Sequence, residues 1–74
     1  MSMLYSIILD TPEFIEKEYT TSDLERAKRM FELMHEDEDE PDYSLYLVEH
    51  TEDDDPIDLL EEDKGVISML RVIQ

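Results

Sequence analysis

Between residues 36 and 63 the chain carries fifteen acidic residues and not one lysine or arginine. No other feature limits the fold so strongly. Carboxylates packed this densely repel one another and have to stay in water, so only short apolar groups inside the run can enter a core. Two such groups exist. Tyr43–His50 alternates, with Tyr43, Leu45 and Leu47 pointing one way and Ser44, Tyr46, Val48 and His50 the other, the period of a strand. Ile57, Leu59 and Leu60 follow Asp55-Pro56, which reads as a helix N-cap with proline at the first helical position. A short helix through Asp63 follows, with Gly65, the single glycine, placed to stop it.

The rest of the chain is nearly balanced in charge, so almost all of the net −16 sits in this 28-residue stretch of a 74-residue protein. That length fits one domain and leaves a thin stability margin. With no cysteine, neither a disulfide framework nor a thiolate zinc site is available to reinforce it.

Outside the acidic stretch the elements are well marked. Residues 3–9 read as a strand, Asp10-Thr11-Pro12-Glu13 as a turn, and residues 14–19 as a returning strand or an extended loop. Ser22-Asp23-Leu24-Glu25 matches a capping box with Ser22 as the cap. Leu24, Ala27, Phe31 and Met34 follow at helical spacing, with Met30 widening the stripe. The expected helix covers residues 23–35. Glu36, Asp37, Glu38, Asp39 and Glu40 then stand where a helix dipole prefers cations, and Pro41 bars continuation. The spacing therefore predicts a solvated loop over 36–42. Residues 66–73 close the chain as a strand with Arg71 facing solvent. The predicted fold is α+β: a small antiparallel sheet of three or four strands with one main helix packed on one face. Leu4, Ile7, Leu9, Leu24, Ala27, Phe31, Met34, Leu45, Leu47, Val66, Leu70 and Val72 are the expected core.

Catalytic chemistry finds little support. Ser2, Ser6, Ser22, Ser44 and Ser68 lie in no nucleophile motif, and one glycine cannot build a phosphate-cradling loop. His35 and His50 are the only histidines and read first as a helix-end residue and a strand residue. The acidic runs lack the alternating acids, central glycine and closing glutamate of a calcium loop. No cofactor is expected, and a metal-buffering role remains a third class. Residues 1–9 are apolar but have no basic flank and meet Asp10 too early for a secretion signal. No apolar run approaches the ~20 residues that cross a bilayer. These features predict a cytoplasmic protein with no membrane partner.

A binding surface explains the charge better. A net charge of about 2–8 keeps a small domain soluble, and this chain goes far beyond that at a cost in self-repulsion. The two loops flanking Tyr43–His50 are expected roughly 20–25 Å apart. Carboxylates on a rigid scaffold at that separation can occupy a stripe of lysine and arginine that otherwise grips phosphates, while repelling nucleic acid itself. Tyr46 is the aromatic best placed to anchor such a contact. Asp53, Asp54 and Asp55 are expected to be dispensable to the fold.

The residues of this pattern are Glu36, Asp37, Glu38, Asp39, Glu40, Asp42, Glu49, Glu52, Asp53, Asp54, Asp55, Asp58, Glu61, Glu62 and Asp63. In them, and in its size and lack of cysteine, the chain resembles the small acidic anti-defence proteins of phages, the anti-CRISPR and anti-restriction DNA mimics. The resemblance is one of type, because these inhibitors share no motif. It implies a non-enzymatic inhibitor, acting in the host cytoplasm, that docks on the basic site of a nucleic-acid-binding protein such as a Cas effector. The alternative is an accessory or interaction subunit without mimicry, for which the apolar residues 3–9 and 66–73 leave a homodimer open.

Overall fold

A computed structural model describes residues 3–73; Met1 and Ser2, named above, and Gln74 lie outside the described residues. Six elements follow in order: β1 (Leu4–Asp10), β2 (Ile15–Thr21), α1 (Leu24–Asp37), β3 (Tyr43–His50), α2 (Pro56–Glu61) and β4 (Val66–Val72). The strands form one sheet in the order β2-β1-β3-β4, and every neighbouring pair is antiparallel. The expected α+β class is what the chain adopts, with four strands and one main helix.

Local chemistry explains each connection. The turn between β1 and β2 wraps around Thr11, whose hydroxyl donates to the Phe14 carbonyl and accepts from the Glu13 and Phe14 amides. Residues 15–21 do return as a strand, with an irregularity in the pairing between Ile7 and Ile8. The cap of α1 is Asp23 and not Ser22: the Asp23 carboxylate accepts from the Arg26 amide at 3.2 Å. The expected Ser22–Glu25 capping box therefore does not form: Arg26 stands at the third helical position, and a single cap bond takes its place. Thr21 holds the preceding chain, its hydroxyl accepting from the Asp23 amide, which brings the stronger acceptor of the Ser-Asp pair into the cap position.

α1 also runs further than expected, through Asp37, so Glu36 and Asp37 belong to its last turn and only 38–42 form a loop. A tie to β3 accounts for the extra length. The Tyr43 hydroxyl donates to the His35 carbonyl, one of the groups that a helix end leaves unpaired. It accepts in turn from His35 Nδ1 at 2.8 Å, which assigns the proton of that ring to Nδ1.

α1 packs Ala27, Met30, Phe31 and Met34 onto the Ile7, Leu9, Leu45 and Leu47 side of the sheet. Ala27 is fully buried; having no bulk beyond Cβ, it lets the helix axis approach the strands closely. Tyr43 completes this core. The opposite side differs from expectation: Ser6, Ile8, Ser44, Val48 and His50 are buried as well. α2 touches β3, β1 and β2 yet contributes nothing to the α1-side cluster. It covers the second face, with Pro56 buried. The central strands β1 and β3 are thus sandwiched. Leu4, Leu24, Phe31, Met34, Val66, Leu70 and Val72, expected in the core, are only partly buried.

α2 begins as expected, with the Asp55 carboxylate accepting from the Ile57 amide and proline following it. Its stop is not Gly65. The Lys64 amide bonds the Leu59 carbonyl and the Asp63 amide bonds the Leu60 carbonyl, the paired bonds of a Schellman ending. Asp63 takes the left-handed position at φ 59°. Gly65 serves a different need. Its carbonyl accepts from the Glu49 amide, and a Cβ there would lie 2.5 Å from the Glu49 carbonyl oxygen at φ +73°. β4 then ends at Val72, leaving Ile73 outside the strand.

Candidate functional site: two acidic poles

β3 sorts the carboxylates. Its first residues pair with the end of β1 and the end of β4, and its last residues pair with their beginnings. β3 has eight residues, and the rise of a strand sets its ends about 23 Å apart. One pole contains Glu36, Asp37, Glu38, Asp39, Glu40 and Asp42, beside Asp10 at the end of β1. The other contains Glu49, Glu52, Asp53, Asp54, Asp55, Asp58, Glu61, Glu62 and Asp63, on and around α2. The fold therefore divides the acidic run in two. Each pole holds one base from the end of the chain: Arg71 opposite Ser44 at the first, Lys64 at the second.

The carboxylates differ in how far they serve the fold. At the second pole, Asp55 caps α2 and Asp54 accepts from the Thr51 hydroxyl at 3.0 Å. The expectation that residues 53–55 are dispensable to folding is corrected on this point: Asp55 is a structural cap, and a substitution keeps the bond only if it brings another capping acceptor such as asparagine or serine. At the first pole, Glu38 accepts from the Glu40 amide, while Glu36 and Asp37 occupy the last turn of α1 and are exposed. Both helices thus end in carboxylate runs where their dipoles favour cations.

Two acids that sequence reasoning missed join the first pole. Glu16 and Glu18 lie on β2, and the irregular pairing with β1 breaks the simple alternation that would have placed them. The Glu18 carboxyl is held above the usual glutamate range by partial burial first, then by Glu16 and Glu38. The Tyr43 hydroxyl is likewise raised, by burial and then by Glu38. Between the last turns of α1 and the sheet lies a groove of about 340 Å³ lined by Leu9, Glu18, Met30, Leu33, Met34, Asp37, Glu38 and Leu45. A second cleft of about 360 Å³ near the same end includes Tyr46, Asp10, Asp42 and Arg71. Tyr46 is half-buried there, not fully exposed.

One contact has the look of a nucleophile and its base. Ser6 Oγ lies 2.6 Å from His50 Nε2, and His50 Nδ1 donates to the Thr51 carbonyl. Nε2 then accepts from Ser6, and Ser6 accepts from Thr20 at 2.8 Å. Ser6 is wholly buried and His50 nearly so, and the chain of bonds pins β3 and β1 to an exposed Thr20 on β2. It offers no substrate access. Among the described residues no three acids or histidines are grouped to hold a metal ion, and no helix is long and apolar enough to cross a membrane.

Comparison with protein-family models gives no match, and no curated protein or solved structure is significantly similar to the chain.

Proposed function

We propose that this protein is an inhibitor that blocks a nucleic-acid-binding protein, such as a CRISPR-Cas effector or another defence nuclease, by covering its basic site with the two acidic poles. The observation that carries this reading is the placement of carboxylate runs at the C-terminal ends of both helices. The exposed acids there, Glu36, Asp37, Glu61 and Glu62, oppose the helix dipoles and cost some stability, whereas a partner's arginines and lysines would neutralise them. A rigid strand holds the poles about 23 Å apart, a span over which a phosphate-binding stripe offers many cations. Carboxylates accept the same bidentate bonds from arginine that phosphates do. Association is expected to be fast and steeply salt-dependent.

The test is capture of a partner from host lysate at low salt, followed by challenge with duplex DNA. Release of the captured protein by DNA supports mimicry. A partner that stays bound through both DNA and high salt contradicts it.

The edge strand β4 favours a second reading, an interaction subunit without mimicry. Ile67 and Met69 are exposed along it and Ile73 just beyond its end, and no charge interrupts residues 66–70, whereas the other edge, β2, is guarded by Glu16, Lys17 and Glu18. Light scattering on the wild type and on Met69→Lys separates the readings: a dimer that the substitution dissolves favours strand pairing through β4.

A further inference from the structure

We infer that the groove beneath the last turns of α1 is the seat of a single arginine side chain projecting from the basic partner. The inference rests on the basic-surface reading and adds which pole makes the anchoring contact and with what chemistry. The groove has two unlike parts. Its floor and wall are apolar: Leu9 and Leu45 from the sheet, Met30, Leu33 and Met34 from the helix. Leu33 is 44% exposed, so an apolar side chain faces water at the mouth. The rim is anionic: Glu18 from β2, Asp37 and Glu38 from the end of α1. The negative end of the α1 dipole adds further negative potential at the same place.

This combination selects its occupant. An anion is repelled by the rim. A purely apolar side chain fills the floor but strips water from three carboxylates without pairing them. A metal ion needs converging oxygens, and no such group of ligands exists among the described residues. A lysine ammonium is compact and strongly hydrated, so it belongs at the rim and leaves the floor wet. An arginine satisfies both parts. Its methylene stem lies on apolar surface, its weakly hydrated plane tolerates burial, and its fork matches carboxylates in pairs. Two methionines give the wall the adaptability to close on it. The crowding of Glu18 by Glu16 and Glu38 is relieved by a cation in this position.

The experiment uses the full chain with labelled backbone amides and methionine methyl groups, titrated with capped hexa-arginine and hexa-lysine peptides at low salt. The expected result is a shift of the Met30 and Met34 methyl signals and an affinity at least about fivefold greater for the arginine peptide. Glu18→Gln combined with Leu33→Ser, both exposed positions, is expected to remove that preference while leaving residual salt-dependent binding at residues 52–63. Equal affinity for the two peptides overturns the inference. So do signals that move only in residues 52–63; that outcome leaves the basic-surface reading standing. Absence of binding by either peptide at either pole overturns both.

Discussion

The two poles carry the same kind of residue to different ends. At the pole around α2, carboxylates are built into the fold: Asp55 caps the helix, Asp54 braces Thr51, and Asp63 fills the left-handed position of the helix ending. At the pole below α1, they work against it: Glu36 and Asp37 oppose the dipole of a 14-residue helix, and Glu18 is crowded by Glu16 and Glu38. Charge with a structural task can be retained for stability alone. Charge that only destabilises points to a use outside the fold, so the α1 pole is the better guide to function.

The sharpest way to test the structural role of the α2 pole is Gly65→Ala. A Cβ at φ +73° meets the Glu49 carbonyl at 2.5 Å. The left-handed cost of ~1–2 kcal/mol adds to displacement of the β3–β4 junction, so a loss of about 2 kcal/mol or more is expected in urea unfolding. Next in size, Asp55→Ala is expected to lose about 1 kcal/mol with the cap, and Asp55→Asn very little. At the other pole the sign reverses: Glu36→Lys and Asp37→Lys should each stabilise by ~0.3–1 kcal/mol at low salt, a gain that fades as salt rises. If these two substitutions destabilise instead, the contrast between the poles is broken.

The smallest effect concerns pH. Because the folded chain holds the Glu18 proton more tightly than the unfolded chain does, ionising Glu18 works against folding. Its contribution to stability therefore falls as pH rises from the ordinary glutamate range through the raised folded value. Glu18→Gln is expected to remove that decline and to gain a few tenths of a kcal/mol at neutral pH, the scale of exposed charge pairs. A thermal-unfolding series from pH 3 to pH 7 reads both.

Much of this architecture was legible in the chain. The alternation of Tyr43–His50 and the Asp55-Pro56 start of α2 recur in the structure at the same residues. What escaped was non-local. Ser44 and His50 are polar, and nothing in the alternation signals their burial; His50 gains partners on β1 and the following loop, while Ser44 sits in the cleft beside Asp10, Tyr46 and Arg71. Ser22 and Asp23 are both good caps, and only the Thr21 bond decides between them. The fifteen acids were visible as a run, but their division into two poles depends on β3 standing between them. The groove could not be read at all, since it joins residues from β1, β2, α1 and β3 through a strand irregularity that has no local signature.

The most direct test measures affinity for the captured partner across a salt series, with wild type beside Glu36→Gln/Asp37→Gln/Glu38→Gln and beside Glu52→Gln/Asp53→Asn. The account expects a steep fall of affinity with salt for wild type and a shallower slope for both variants, the first losing more affinity because it removes charge from the groove rim. Affinity and salt slope unchanged in both variants would show that the carboxylates are a solubilising coat and not a binding surface.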